Sequence, residues 1–177
     1  MPQFPSGNLP GTVWFGGCPD EVGLGLWVQG DTLDPEAISQ ALGSAPTRSK
    51  RKGDPIVSSS GEVMRIARTG SWFLSYQVSA DTTVAQAIQA MFDGLTDDRS
   101  VWRSLTSRYN VELVCELTLK CFNRGWAIPP EIMGHLASRG VTLSFDVSYM
   151  GDLQERDTLL NRMQSAEQSS VADRRRD

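Results

Sequence analysis

From Val111 to Cys121 the chain reads VELVCELTLKC, and alternate positions separate by polarity. Val111, Leu113, Cys115, Leu117, Leu119 and Cys121 fall on one side, and Glu112, Val114, Glu116, Thr118 and Lys120 on the other. This is the two-residue period of a strand with one buried and one wetted face. A sheet with one dry face needs cover on that face alone. The segment therefore predicts an α+β two-layer sandwich, a mostly antiparallel sheet with helices on one face.

The stretch Leu24–Gly43 supplies a strand and a helix together. Leu24, Leu26 and Val28 alternate with Gly25, Trp27 and Gln29, and Gly30-Asp31-Thr32 turns the chain. Asp34 then stands at the cap of a helix that opens on Pro35, carries Ile38, Ala41 and Leu42 on its apolar side, and stops at Gly43. Residues 128–140, IPPEIMGHLASRG, echo this pattern, with Leu33 in register with Ile128, Pro35 with Pro130 and Glu36 with Glu131. The echo predicts a ferredoxin-like pseudo-repeat.

Between the copies, Val63–Arg68 and Ser71–Val78 read as a hairpin about Thr69-Gly70, with Trp72, Leu74, Tyr76 and Val78 on one side. Val84, Ile88, Met91, Phe92 and Leu95 keep helical spacing, and Thr83 with Gln86 forms a capping box. Val101, Trp102 and Leu105 predict a further short helix. Val141, Leu143, Phe145, Val147 and Tyr149 alternate as a last strand. Residues 1–22, rich in proline and glycine, are expected to be an N-terminal arm with a short edge strand near Val13–Gly16. Residues 23–150 form the single expected domain. Residues 151–177 are expected to hold a short helix and then a disordered tail.

A chain of 177 residues buries roughly 70% of its unfolded surface as one domain. The net charge of −4 argues against general nucleic-acid binding. No apolar run is long enough to span a membrane, and the first residues lack a secretory pattern, so a cytoplasmic protein is expected. Cys18, Cys115 and Cys121 fit a reducing compartment. Cys115 and Cys121 lie ~20 Å apart on an extended strand, too far for a disulfide. One histidine, no Cys-x-x-Cys pair and no GxxxxGK[ST] loop leave neither a metal site nor a cofactor to expect.

The densest local chemistry is Thr47–Asp54, where Arg48, Lys50, Arg51 and Lys52 crowd four cations into five positions. Such a run either grips an acidic group or stands solvated. Trp27, Trp72, Trp102 and Trp126 are more often core and rim packing than a binding platform; the functional alternative is that Trp27 and Phe73, opposite the core sides of their strands, surface together as an exposed aromatic pair. Asp31 and Asp34 border the first strand–helix junction, with capping their simplest role. Glu112, Glu116 and Asp146 share the wet side of two strands. His135 has no G-x-S-x-G elbow to serve, so no catalytic set is assembled.

The segments LDPEAISQALG, APTRSKRKGD and SWFLSY together resemble an uncharacterised bacterial domain-of-unknown-function family. Its scheme is a strand, a Leu-x-Pro helix, a Pro-Thr followed by Lys/Arg-Gly-Asp, and a tryptophan on a middle strand. The likeness covers about residues 24–150. It implies a shared fold and points toward small interaction proteins of the toxin-neutralising kind, with no catalytic residues to carry over.

The expectation from sequence is a non-catalytic module for a protein or peptide partner, using Thr47, Arg48, Lys50, Arg51, Lys52, Trp27, Phe73, Asp31 and Asp34. The competing expectation is a small enzyme modifying a peptide or carboxylate-bearing substrate in a cleft beside the basic loop, which needs Arg48, Lys52 and Asp31 to converge in a deep cleft. A weaker one is single-stranded nucleic-acid binding through the basic stretch and the aromatics.

Overall fold

Alternation along Leu24–Val28 and Val111–Leu117 places one continuous apolar face on a central sheet, and the helices are laid across it. The computed structural model describes residues 18–78, 82–121 and 124–151. The expected strand near Val13 and the helix and tail beyond Gly151 lie outside the described residues.

The elements run β1 (Glu21–Gly30), α1 (Pro35–Leu42), β2 (Arg48–Lys50), β3 (Pro55–Val57), β4 (Val63–Ile66), β5 (Gly70–Gln77), α2 (Val84–Asp93), α3 (Arg99–Thr106), β6 (Asn110–Leu119), α4 (Pro130–Arg139) and β7 (Thr142–Tyr149). Five strands form one sheet in the order β2-β5-β1-β6-β7, and β3 and β4 form a separate two-stranded sheet. β1 is antiparallel to both its neighbours, whereas β6 and β7 are parallel. The α+β class with a mostly antiparallel sheet is thus the one the alternating strand demanded.

Leu26, Val28, Trp72, Leu113, Cys115 and Leu117 from the sheet meet Ile38, Leu42, Ile88, Met91, Trp102, Leu105 and Leu136 from the helices in one core. Burying each such side chain contributes about 1.5–3 kcal/mol. Trp72 also fixes α1 in place: its indole N–H donates to the Ser39 hydroxyl at 3.0 Å, which donates on to the Pro35 carbonyl at 2.9 Å. The Thr83–Gln86 capping box starts α2 as read from sequence. Gly43 and Gly140 stop α1 and α4 in the left-handed region, at φ 74° and 67°.

Two expectations are corrected. β4 pairs with β3, not with β5, so Thr69-Gly70 joins two different sheets instead of turning a hairpin. The reason is that β5 finds both its neighbours elsewhere, in β1 and β2. The ferredoxin-like pseudo-repeat is also not seen. β1 is central and leads into its helix, whereas β7 is an edge strand that follows its helix. The matching Pro-Glu starts and glycine stops reflect the local needs of two helices.

Candidate binding site

Among the described residues the helices cover one face of the sheet and leave the other open. On that open face, register aligns three residues from three strands: Arg48 of β2 opposite Phe73 of β5, and Phe73 opposite Trp27 of β1. The Phe73 and Trp27 ring centres are 4.3 Å apart at 41°. The Arg48 guanidinium lies 4.3 Å from the Phe73 centre and 5.1 Å from that of Trp27. A cation over two rings is attracted by their negative faces. Gly25 makes room for this stack, because a β-carbon there would sit 2.5 Å from a Phe73 ring carbon. Trp27 and Phe73 do come together, but as a packed pair and not the exposed one that the functional alternative called for. Phe73 is only 8% exposed and Trp27 is half-buried. Arg48 and the side-chain-free Gly25 account for that burial.

Beside the stack, two clefts adjoin. One, of ≈ 280 Å³, is lined by Trp27, Arg48, Ser49, Lys50, Arg65 and Ser71. The other, of ≈ 330 Å³, is lined by Lys50, Ile56, Arg65, Ile66, Arg68 and Thr69. Lys50 and Arg65 border both, so the two clefts lie side by side as an open groove between β2 and the β3–β4 hairpin. Its walls are cationic (Arg48, Lys50, Arg65, Arg68) with apolar steps at Ile56 and Ile66. Among the described residues, none of these four cations has a carboxylate within ion-pair distance. The hairpin beside the groove is unusually apolar for its exposure: Val57, Val63, Met64 and Ile66 are all more than half exposed, Met64 at 71%.

The rest of the basic stretch is arranged differently. Arg51 bonds Asp34 at 2.7 Å and also Glu36, and Lys52 bonds Asp31. The Asp31 carboxyl is held below its usual range by Lys52 and then by Thr69. That of Asp34 is lowered by hydrogen bonding with Glu36 and by Arg51. Asp34 stands at the helix cap position, yet its side chain caps nothing and turns to Arg51, which corrects the capping role read from sequence. Thr47 and Asp54 bond to backbone, accepting from the Ser75 N–H at 2.9 Å and the Arg51 N–H at 2.6 Å. Of the nine residues singled out by sequence, Thr47 is held by the Ser75 backbone and the other eight divide in two. Arg48, Lys50, Trp27 and Phe73 meet at the groove, while Arg51, Lys52, Asp31 and Asp34 form an ion-paired cluster that ties the β2–β3 turn to α1.

Across the open face the sign of charge reverses. Glu116 lies in register with Asp146, and the Ser144 hydroxyl donates to Glu112. His135 is exposed on α4. Among the described residues no group of three or more His, Cys, Asp or Glu side chains could hold a metal ion, and no helix is long and apolar enough to cross a membrane.

Arg65 and Arg68 are the site residues that sequence reasoning missed. Their signal was present in VMRIAR, a short strand whose Val63, Met64 and Ile66 have no apolar partner in the pattern. Residues 20–150 match a family described as a domain of unknown function (DUF4279). No curated protein and no solved structure matches the chain.

Proposed function

The chain belongs to the DUF4279 family, and from that footing we propose that it is a non-catalytic module that binds an acidic segment of a protein partner in the groove between β2 and the β3–β4 hairpin. The observation that carries this reading is the division of the basic residues. Arg51 and Lys52 are spent on Asp34, Glu36 and Asp31, while Arg48, Lys50, Arg65 and Arg68 line open space. Cations that have no carboxylate partner among the described residues, beside apolar walls, complement a segment that alternates carboxylates with apolar side chains. The exposed Val63 and Met64 extend the apolar part of that surface.

Two features support a peptide over a nucleic acid. Arg48 covers the ring faces on which a base would stack, and Glu112, Glu116 and Asp146 on the same sheet face repel a phosphate backbone. Lys52 and Asp31 pair with each other and line neither cleft beside Arg48, which supports binding over substrate turnover. An immunity-type protein of a bacterial cytoplasm, one that blocks a toxin by docking on it, is the biological form of this proposal.

The test is titration with a labelled peptide alternating glutamate and leucine, followed by fluorescence anisotropy. Saturable binding that weakens with salt and falls about tenfold or more in Lys50→Ala/Arg65→Ala is expected. Binding unchanged in that variant would overturn the reading.

A further inference from the structure

Among the described residues β7 is the edge of the main sheet opposite to the groove, with no strand on its outer side. The Met150 N–H bonds the Leu119 carbonyl at 2.8 Å, which sets the phase of the parallel ladder. Even-numbered residues of β7 therefore turn their backbone groups toward β6, and odd-numbered residues turn theirs outward. Among the described residues, no strand takes up the outward N–H and C=O groups of Leu143, Phe145 and Val147. This edge is lightly protected, since β7 carries one charge, Asp146, and no lysine, proline or bulge. Its side chains on the helix side are exposed as well, Phe145 at 39% and Val147 at 46%.

We infer that β7 pairs antiparallel with β7 of a second copy, in a register centred on Phe145. Symmetry and phase together leave few choices. In a two-fold antiparallel pair, hydrogen-bonded partners must both point outward, so odd residues face odd residues and the axis passes through a residue. Two such registers overlap the strand most fully, centred on Phe145 or on Asp146. The second sets the two Asp146 carboxylates directly opposite each other, in the pair type where side chains are closest, and like charges there are destabilising. The first sets Asp146 opposite Ser144, Leu143 opposite Val147, Thr142 opposite Ser148, and Phe145 opposite itself. Apolar side chains then meet on the helix side and polar ones on the open side. This register joins the two sheets into one and leaves both basic grooves at the far edges.

Sedimentation velocity of the full chain over a concentration series tests this. A dimer is expected. Ser144→Asp should shift it to monomer by opposing two carboxylates at both symmetric positions, and adding Asp146→Lys should restore the dimer. Val147→Pro, which removes only an outward N–H, should also give a folded monomer by circular dichroism. A wild-type chain monomeric throughout, or a dimer indifferent to Ser144→Asp and Val147→Pro, would overturn the inference. Peptide binding at the groove is read separately and does not depend on either result.

Discussion

Arg48 and Phe73 are cross-strand partners, and the guanidinium of one lies 4.3 Å from the ring centre of the other. The contact links the edge strand β2 to β5 and, through the Trp27 ring, to the central β1. At an exposed site a cation over a ring contributes about 0.5–1 kcal/mol. Arg48→Ala should therefore lower stability by about that much in urea unfolding, yet weaken peptide binding by more. Gly25→Ala should act on the same ring from β1. Its β-carbon displaces Phe73, and overpacking of this kind costs about 1–3 kcal/mol. If Gly25→Ala leaves both stability and binding untouched, the stack is not seated as described.

Asp20 anchors the segment after β6 to the start of β1. It accepts two hydrogen bonds from Arg124, at 3.0 and 3.1 Å, and one from the Lys120 N–H at 2.8 Å. Bonding to Arg124, and next to the Lys120 backbone, lowers its pKa from 3.8 to about 2. A carboxyl depressed on folding stabilises the protein above its unfolded value, and the gain is lost as pH falls through the folded value. Asp20→Asn should thus cost about 1–2 kcal/mol at neutral pH. The gap between variant and parent should close between pH 3.8 and about 2. Thermal melts across that window read it directly, and a gap independent of pH would contradict the pairing.

The Ser39 hydroxyl is the acceptor for the indole N–H of the fully buried Trp72. Ser39→Ala leaves that donor without its partner, at a cost of about 1–3 kcal/mol. An exposed serine elsewhere, such as Ser59, should tolerate alanine with little change. Urea midpoints of the two variants, compared at constant slope, check this.

Burial pushes the Cys115 thiol up to about 12, so it holds its proton at neutral pH. Cys18 and Cys121 are partly exposed. A thiol reagent should modify Cys18 and Cys121 in the native protein and reach Cys115 only on unfolding. Rapid native labelling of Cys115, read by peptide mass mapping, would show that β6 is not the buried strand described.

Much of the fold could be read from local pattern. β1, β6 and β7 follow from alternation, and α2 from its spacing and the Thr83–Gln86 box, because each signal lies within one element. Pairing is a long-range property, which is why β4 was joined to the wrong strand. Thr69-Gly70 looks like a turn, but nothing local records that β5 is claimed by β1 on one side and β2 on the other. The site was half legible for the same reason. The cations of residues 48–52 are visible as a run, but their division depends on Asp31, Asp34 and Glu36 reaching across from α1 and the turn before it. Arg65 and Arg68 enter only because the small hairpin folds beside β2.

That division is open to one direct measurement. Lys50→Glu/Arg65→Glu and Arg51→Glu/Lys52→Glu change the net charge equally, so any difference between them reports position. Anisotropy titration with the glutamate–leucine peptide should show binding abolished in the first pair and largely kept in the second. Equal losses in both, or loss only in the second, would contradict a groove formed by Arg48, Lys50, Arg65 and Arg68.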